Sequence, residues 1–358
     1  MKQLRTLLTI ILNLTSVFVI SQTITLKPIK VPVSIDSRVE LIGIICYLSN
    51  FQEYSNDEVI SYKIAVDEYF KNFRNHEAIN YLKEIRNNLG IGYNAPMEIA
   101  VYLTDSLTPS VPFSQVHNGF DSRWNEESYN KFAILVKKFA IDTKFDDFFQ
   151  TQKKKYEQDI FAIEQNINSS INFDWFSSYF GEIPKNTKFK IILSLNSGKC
   201  NYGATTIINN ENIKYSINGV YGRQGGIIIG SFSVGLIIHE FCHSFSDPII
   251  YEYKNKLEKT GKLIYDDYIS RKHQKEYGYW ETVLCETFVR TSVSCYLKEN
   301  SSCFMSNLNK MVDKKKGFLW IKPLTKSFLK LNKISTINQS KDLYINEFVK
   351  VLNEYLTK

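Results

Sequence analysis

The sequence predicts an α+β fold: a helical N-terminal half, a small mixed sheet, then an HExxH helix and a second buried helix bearing glutamate. Three observations lead there. Apolar residues recur at helical spacing through much of residues 36–180. Short β-type segments separated by Asn- and Gly-containing turns follow, between residues 188 and 230. His239-Glu240-Phe241-Cys242-His243 then lies inside a strongly apolar helix pattern. At 358 residues, with 22 Tyr and 24 Phe, the chain is long and aromatic enough to bury a large core. After a leader, residues 22–180 and 181–358 form a mainly helical part and a motif-bearing part, read as one continuous unit.

The chain opens on Lys2 and Arg5, followed by an apolar stretch from Leu7 to Ile20. Val19 and Ser21 stand where a signal peptidase prefers small residues, so residues 1–21 read as a secretory signal peptide with Gln22 the mature start. The apolar run is short for a membrane span, and no stable span is expected after cleavage. The expected location is secreted or periplasmic. Cleavage removes two basic residues and lowers the formal charge from +7 to about +5. Lys153–Lys155 and Lys314–Lys316 are short basic runs without aromatic platforms, so no nucleic-acid partner is expected.

Asp36 is placed to cap a helix running to Asn50, and further helices are expected over 58–73, 76–89, 126–140 and 144–170. Lys188–Leu195, Tyr202–Ile208, Ile213–Asn218 and Gly226–Gly230 read as strands. The motif helix is expected over 233–246, stopped by Asp247-Pro248, since proline lacks an N–H and crowds the preceding turn. A strongly apolar helix over 279–297 and helices over 304–312 and 342–356 complete the chain. Cys46, Cys200, Cys242, Cys285, Cys295 and Cys303 are too few and scattered for a disulfide scaffold, although a bridge among the last three is compatible with the spacing. No CxxC pair is present to build a thiolate zinc site.

His239 and His243 are four residues apart, so their imidazoles leave one helix face a turn apart and can grip one ion. Glu240 points about a quarter turn away, within reach of a water on that ion and able to take its proton. With five His in the chain, a chance HExxH has a probability of roughly a few in a thousand. The bland alternative is a pair of core histidines satisfied by carbonyls, but residues 231–239 and 241–246 carry no other acid or base to compensate them. Residues 246 and 249 are Ser and Ile, which excludes the metzincin pattern of a glycine and third histidine. A glutamate from the second helix is the other common third ligand, and Glu286 and Glu281 are the candidates. Glu286 is favoured because it falls mid-helix, where a carboxylate needs a strong partner. Arg290, one turn on, is placed to hold it, while a plain Glu286–Arg290 ion pair is the alternative. Asp247 reads as a helix stop. Tyr277, Tyr279 and His273 precede the second helix and are candidates for steadying an oxyanion. His76 and His117 read as structural.

On HEFCH at 239–243 and ETFVR at 286–290, the chain resembles the gluzincin metallopeptidases. On Asp36-Ser-Arg-Val-Glu-Leu41, HEFCHSF and ETFVR, across about residues 33–297, it resembles an uncharacterised family of secreted bacterial HExxH proteins. These resemblances imply a zincin-like fold with zinc on His239, His243 and Glu286, and Glu240 as base. The NExxxD form of the glutamate helix is absent. The expected activity is zinc-dependent hydrolysis of a peptide or protein substrate, for which an edge strand near Asn201–Thr206 is the candidate docking place. The alternative is a non-catalytic surface or binding protein whose zinc site is closed by four protein ligands.

Overall fold

The computed structural model describes residues 31–55, 60–167, 171–198, 200–220, 223–224, 227–228, 234–270, 273–274, 277–301 and 303–357. The expected signal peptide and mature start lie outside them. Among the described residues the fold is α+β, with thirteen α-helices and a four-stranded mixed sheet.

Strand β1 (Val33–Ser34) leads into helix α1 (Ser37–Leu48), whose first turn Asp36 caps by accepting from the Arg38 N–H at 2.9 Å. Helix α2 (Ile60–Tyr69) is shorter than expected and is followed by a 3₁₀ turn at Lys71–Phe73. Helix α3 (Glu77–Leu89) starts on His76, whose Nδ1 accepts from the Ala78 N–H at 3.1 Å and whose other ring nitrogen faces Asp142. That histidine is structural, as expected. Helices α4 (Ala95–Tyr102), α5 (Glu126–Asp142), α6 (Phe145–Ile167) and α7 (Asp174–Phe180) complete the helical half.

The sheet contains β1, β2 (Thr187–Ser194), β3 (Asn201–Ile208) and β4 (Glu211–Gly219), in the spatial order β1-β2-β4-β3. The first three of that order run parallel, and β3 returns antiparallel along the edge. Asn209 and Asn210, with φ of 50° and 61°, make the tight turn between β3 and β4; short polar side chains tolerate that left-handed region. The expected strand at 226–230 shrinks to a two-residue ladder, β5 (Arg223–Gln224) with β6 (Ile227–Ile228), the rest of that segment lying outside the described residues. Because β1 pairs with β2, the helical part supplies a strand to the sheet of the following part. Buried Glu40 reinforces that junction, accepting from the Tyr62 hydroxyl at 2.7 Å and the Leu195 N–H at 2.8 Å.

Helices α8 (Val234–Glu252), α9 (Lys254–Asp267), α10 (Trp280–Asn300), α11 (Cys303–Lys315), α12 (Ile321–Asn332) and α13 (Lys341–Leu356) follow. α8 packs on the sheet through Phe241, whose ring meets Phe189 edge-on at 5.0 Å. The opposite face of β3 turns towards the helical half, where Tyr202 stacks on Tyr54 at 5.7 Å. The stop expected at Asp247-Pro248 does not occur: α8 runs through Pro248 to Glu252. An interior proline costs about 3 kcal/mol. Ile249 and Ile250, both buried just beyond it, each return roughly 1.5–3 kcal/mol, enough to keep the helix going.

Cys285 and Cys295 are free thiols, so no bridge joins them, and the Cys303 side chain lies outside the described residues. No described helix is long and apolar enough to cross a membrane.

Candidate metal centre

Helices α8 and α10 lie side by side and bring three donor atoms together. His239 and His243 leave the same side of α8, their ring centroids 4.9 Å apart. Their Nε2 atoms are 3.2 Å apart. Glu286 enters from α10 with Oε1 at 3.6 Å from His239 Nε2 and 3.5 Å from His243 Nε2. The point equidistant from those three atoms in their own plane lies about 2.0 Å from each, the shortest reach of an ion there and within the range of zinc–imidazole and zinc–carboxylate bonds. The donor set and its spacing therefore fit zinc. The three side chains are 14 %, 21 % and 13 % exposed, so the cluster can be reached from solvent.

Around the donors is a layer that orients them. His243 Nδ1 lies 2.9 Å from Asp247 Oδ2; an Nδ1–H donated there leaves the Nε2 lone pair facing the other donors. Arg290 places Nη2 2.6 Å from Glu286 Oε2 and Nη1 2.8 Å from Asp313 Oδ1. Asn309 donates to the second oxygen of Asp313 at 3.0 Å. The Arg290 guanidinium also stands 4.6 Å over the Phe318 ring. Glu286 is thus gripped from behind on Oε2 and presents Oε1 forwards.

Burial pushes the Glu240 carboxyl up to about 8, near the working range of a proton acceptor at neutral pH. Burial also pulls the His239 imidazole down to about 4. For Glu286 burial acts upwards, but Arg290 and His239 outweigh it and hold the carboxyl well below its usual range. For His243 burial acts downwards, but Asp247 and Glu286 outweigh it and hold the imidazole well above its ordinary value.

Of the residues singled out in the sequence, the structure brings His239, His243, Glu286 and Arg290 together. Glu281 is elsewhere, paired with Lys254 Nζ at 2.6 Å. Tyr277 packs edge-on against Phe318, the ring beneath Arg290, and so borders the orienting layer. Tyr279 precedes α10 and is 69 % exposed, turned to solvent. His273 meets Ser270 at 3.2 Å, and His117 bonds the Tyr102 hydroxyl at 2.9 Å.

Two orienting acids escape the sequence reading. Asp247 is read as a helix stop, although its i+4 spacing from His243 is the available signal. Asp313 falls one residue past the expected end of its helix, and α11 runs on to Lys315. A third contributor is Gly203 on β3: a Cβ there would stand 2.4 Å from the Glu240 carbonyl oxygen and 3.1 Å from His243 Cβ. Only glycine lets the edge strand approach the motif helix this closely. Asp247→Asn is expected to weaken zinc binding about 10- to 100-fold, since the amide keeps an acceptor but loses the charge. Competition against a chromophoric chelator measures this, and unchanged affinity removes Asp247 from the orienting layer.

Fold and site together define an α+β protein with two histidines and a carboxylate converging from adjacent buried helices. The family model described as Domain of unknown function (DUF4932) matches residues 31–351, and the chain belongs to that family. The match runs beyond residue 297 to take in the C-terminal helices. No curated protein and no solved structure matches the chain.

Proposed function

We propose that this protein is a secreted, zinc-dependent hydrolase of peptide bonds, a metallopeptidase of zincin-like, gluzincin type. The observation that carries this reading is the convergence of His239 Nε2, His243 Nε2 and Glu286 Oε1 within 3.6 Å of one another, a spacing that fits one zinc ion, with Glu240 on the turn between the two histidines.

Zinc held there would supply Lewis acidity, acidifying a water and polarising the scissile carbonyl. The chain's own residues do the rest. Asp247 and Arg290 keep the donor atoms aimed, so little reorganisation is needed during reaction. Arg290 is committed to Glu286 and Asp313, and its role is orientation rather than contact with an oxyanion. Glu240 takes the proton of the attacking water and passes it to the leaving nitrogen.

Strand β3 offers the substrate a place to lie. Ile208 and Glu211 flank the tight turn and pair directly, so the even-numbered residues of β3 bond to β4. Gly203 and Thr205 consequently direct N–H and C=O away from β4 towards the sheet edge, where an extended peptide could add as a further strand short of Ile207, whose backbone meets the Tyr102 hydroxyl of α4.

The test is incubation of a mixed peptide library at neutral pH with zinc-loaded protein, read by mass spectrometry against a chelated blank. Zinc-dependent cleavage is expected. A zinc-loaded chain that cuts nothing overturns the hydrolase reading and leaves a binding protein with structural zinc.

A further inference from the structure

Lys214 stands mid-strand on β4, with Phe189 of β2 and Thr205 of β3 as its register partners. The three side chains share one face of the sheet, the face on which α8 packs. Thr205 Oγ1 donates to Ser244 Oγ at 2.9 Å, and Ser244 follows the metal-cluster residue His243 directly. Lys214 is 8 % exposed. Its ammonium lies 5.3 Å from the Phe245 ring centroid and donates to Thr205 Oγ1 at 3.3 Å.

Those partners do not satisfy a buried cation. An ammonium carries three donors, and a hydroxyl with an aromatic face occupies only part of that capacity. Lysine is almost never this buried unless paired. Lys254, Lys262 and Lys341, all more exposed, hold Glu281, Glu258 and Glu252. Among the described residues no carboxylate pairs with Lys214. Burial pulls its amine down to about 8, the direction expected of a cation lacking a counter-charge. The nearby His117 offers none: burial, then Lys214 itself, hold its imidazole at about 4, so it stays neutral.

The lysine's position along β3 gives this vacancy a use. Gly203 lies against Glu240 and His243, so it marks the level of the metal cluster along the strand. Thr205 is two residues further, about 7 Å away at strand rise. A peptide paired with the β3 edge repeats its side chains on one face every second residue. A side chain two positions from the bond being cut therefore comes level with Thr205 and Lys214.

We propose that Lys214, positioned by Thr205 and Ser244, is a carboxylate-binding subsite that selects substrates with Asp or Glu two residues from the scissile bond. This rests on the hydrolase reading and names its substrate class.

The experiment compares peptides that differ only by Asp against Asn, or Glu against Gln, at the second position on either side of the cleaved bond. Zinc-loaded wild type is expected to favour the acidic member about tenfold or more in kcat/KM, chiefly through KM. In Lys214→Met the ratio should fall to about one, and in Lys214→Glu it should turn towards peptides carrying Lys or Arg there. Wild type that cuts both members equally overturns the subsite while leaving the hydrolase standing, whether or not the variants fold. Wild type that cuts neither removes the hydrolase reading and the subsite with it. An acidic preference that survives intact in folded Lys214→Met assigns the selection to another residue and overturns the proposal.

Discussion

Glu240→Gln is expected to keep its zinc and its thermal unfolding while losing peptide hydrolysis by about a hundred- to ten-thousand-fold, the usual worth of general-base assistance. The substitution preserves side-chain size at a buried position and removes only the capacity to accept a proton. The three donor atoms belong to other residues, so metal content should match wild type. Metal analysis, a melting curve and the library assay on one preparation give the three readouts. A Glu240→Gln variant as active as wild type would reassign the base. One that loses metal together with activity would make Glu240 part of the binding set.

Replacing the third donor should have the other large effect, on metal instead of turnover. Glu286→Gln withdraws the one negative charge among the three donor side chains and leaves the buried Arg290, among the described residues, with Asp313 as its remaining acidic partner. Zinc affinity should fall by well over the 10- to 100-fold typical of an orienting residue. Glu281→Gln, five residues away on the same helix, breaks only a pair with the half-exposed Lys254. Such a pair is worth about 1 kcal/mol or less, and zinc binding should not change. Equal zinc content in the two variants after exhaustive dialysis, or the reverse order, contradicts the assignment of Glu286.

The contrast between these glutamates also shows what a sequence can disclose. Period and position within a helix separate Glu286 from Glu281, because a mid-helix carboxylate among apolar residues must have a strong partner. The same periodicity marks α3, α5 and α6 to within a few residues. Helix α4 escapes because all eight of its residues, from Ala95 to Tyr102, are buried, so no apolar stripe alternates with a polar one. Helices α7, α9 and α12 are likewise absent from the sequence reading. Asp247 is misread because the Asp-Pro pair is a local stop signal, and only the packing of Ile249 and Ile250 overrides it. Asp313 and Gly203 act on the site from α11 and β3, and no local pattern reports which distant helix or strand a residue will meet.

The split of the donors between α8 and α10 reaches beyond catalysis. An ion held by His239, His243 and Glu286 is a cross-link that closes the chain between residues 243 and 286, a loop the unfolded polypeptide must otherwise explore freely. Folding and metal loading then become linked equilibria. Above the dissociation constant, each tenfold rise in free zinc adds about 1.4 kcal/mol to the folded state. In a zinc-poor medium the same chain would be correspondingly easier to unfold and to digest, so the free zinc around it would set the protein's lifetime as well as its activity.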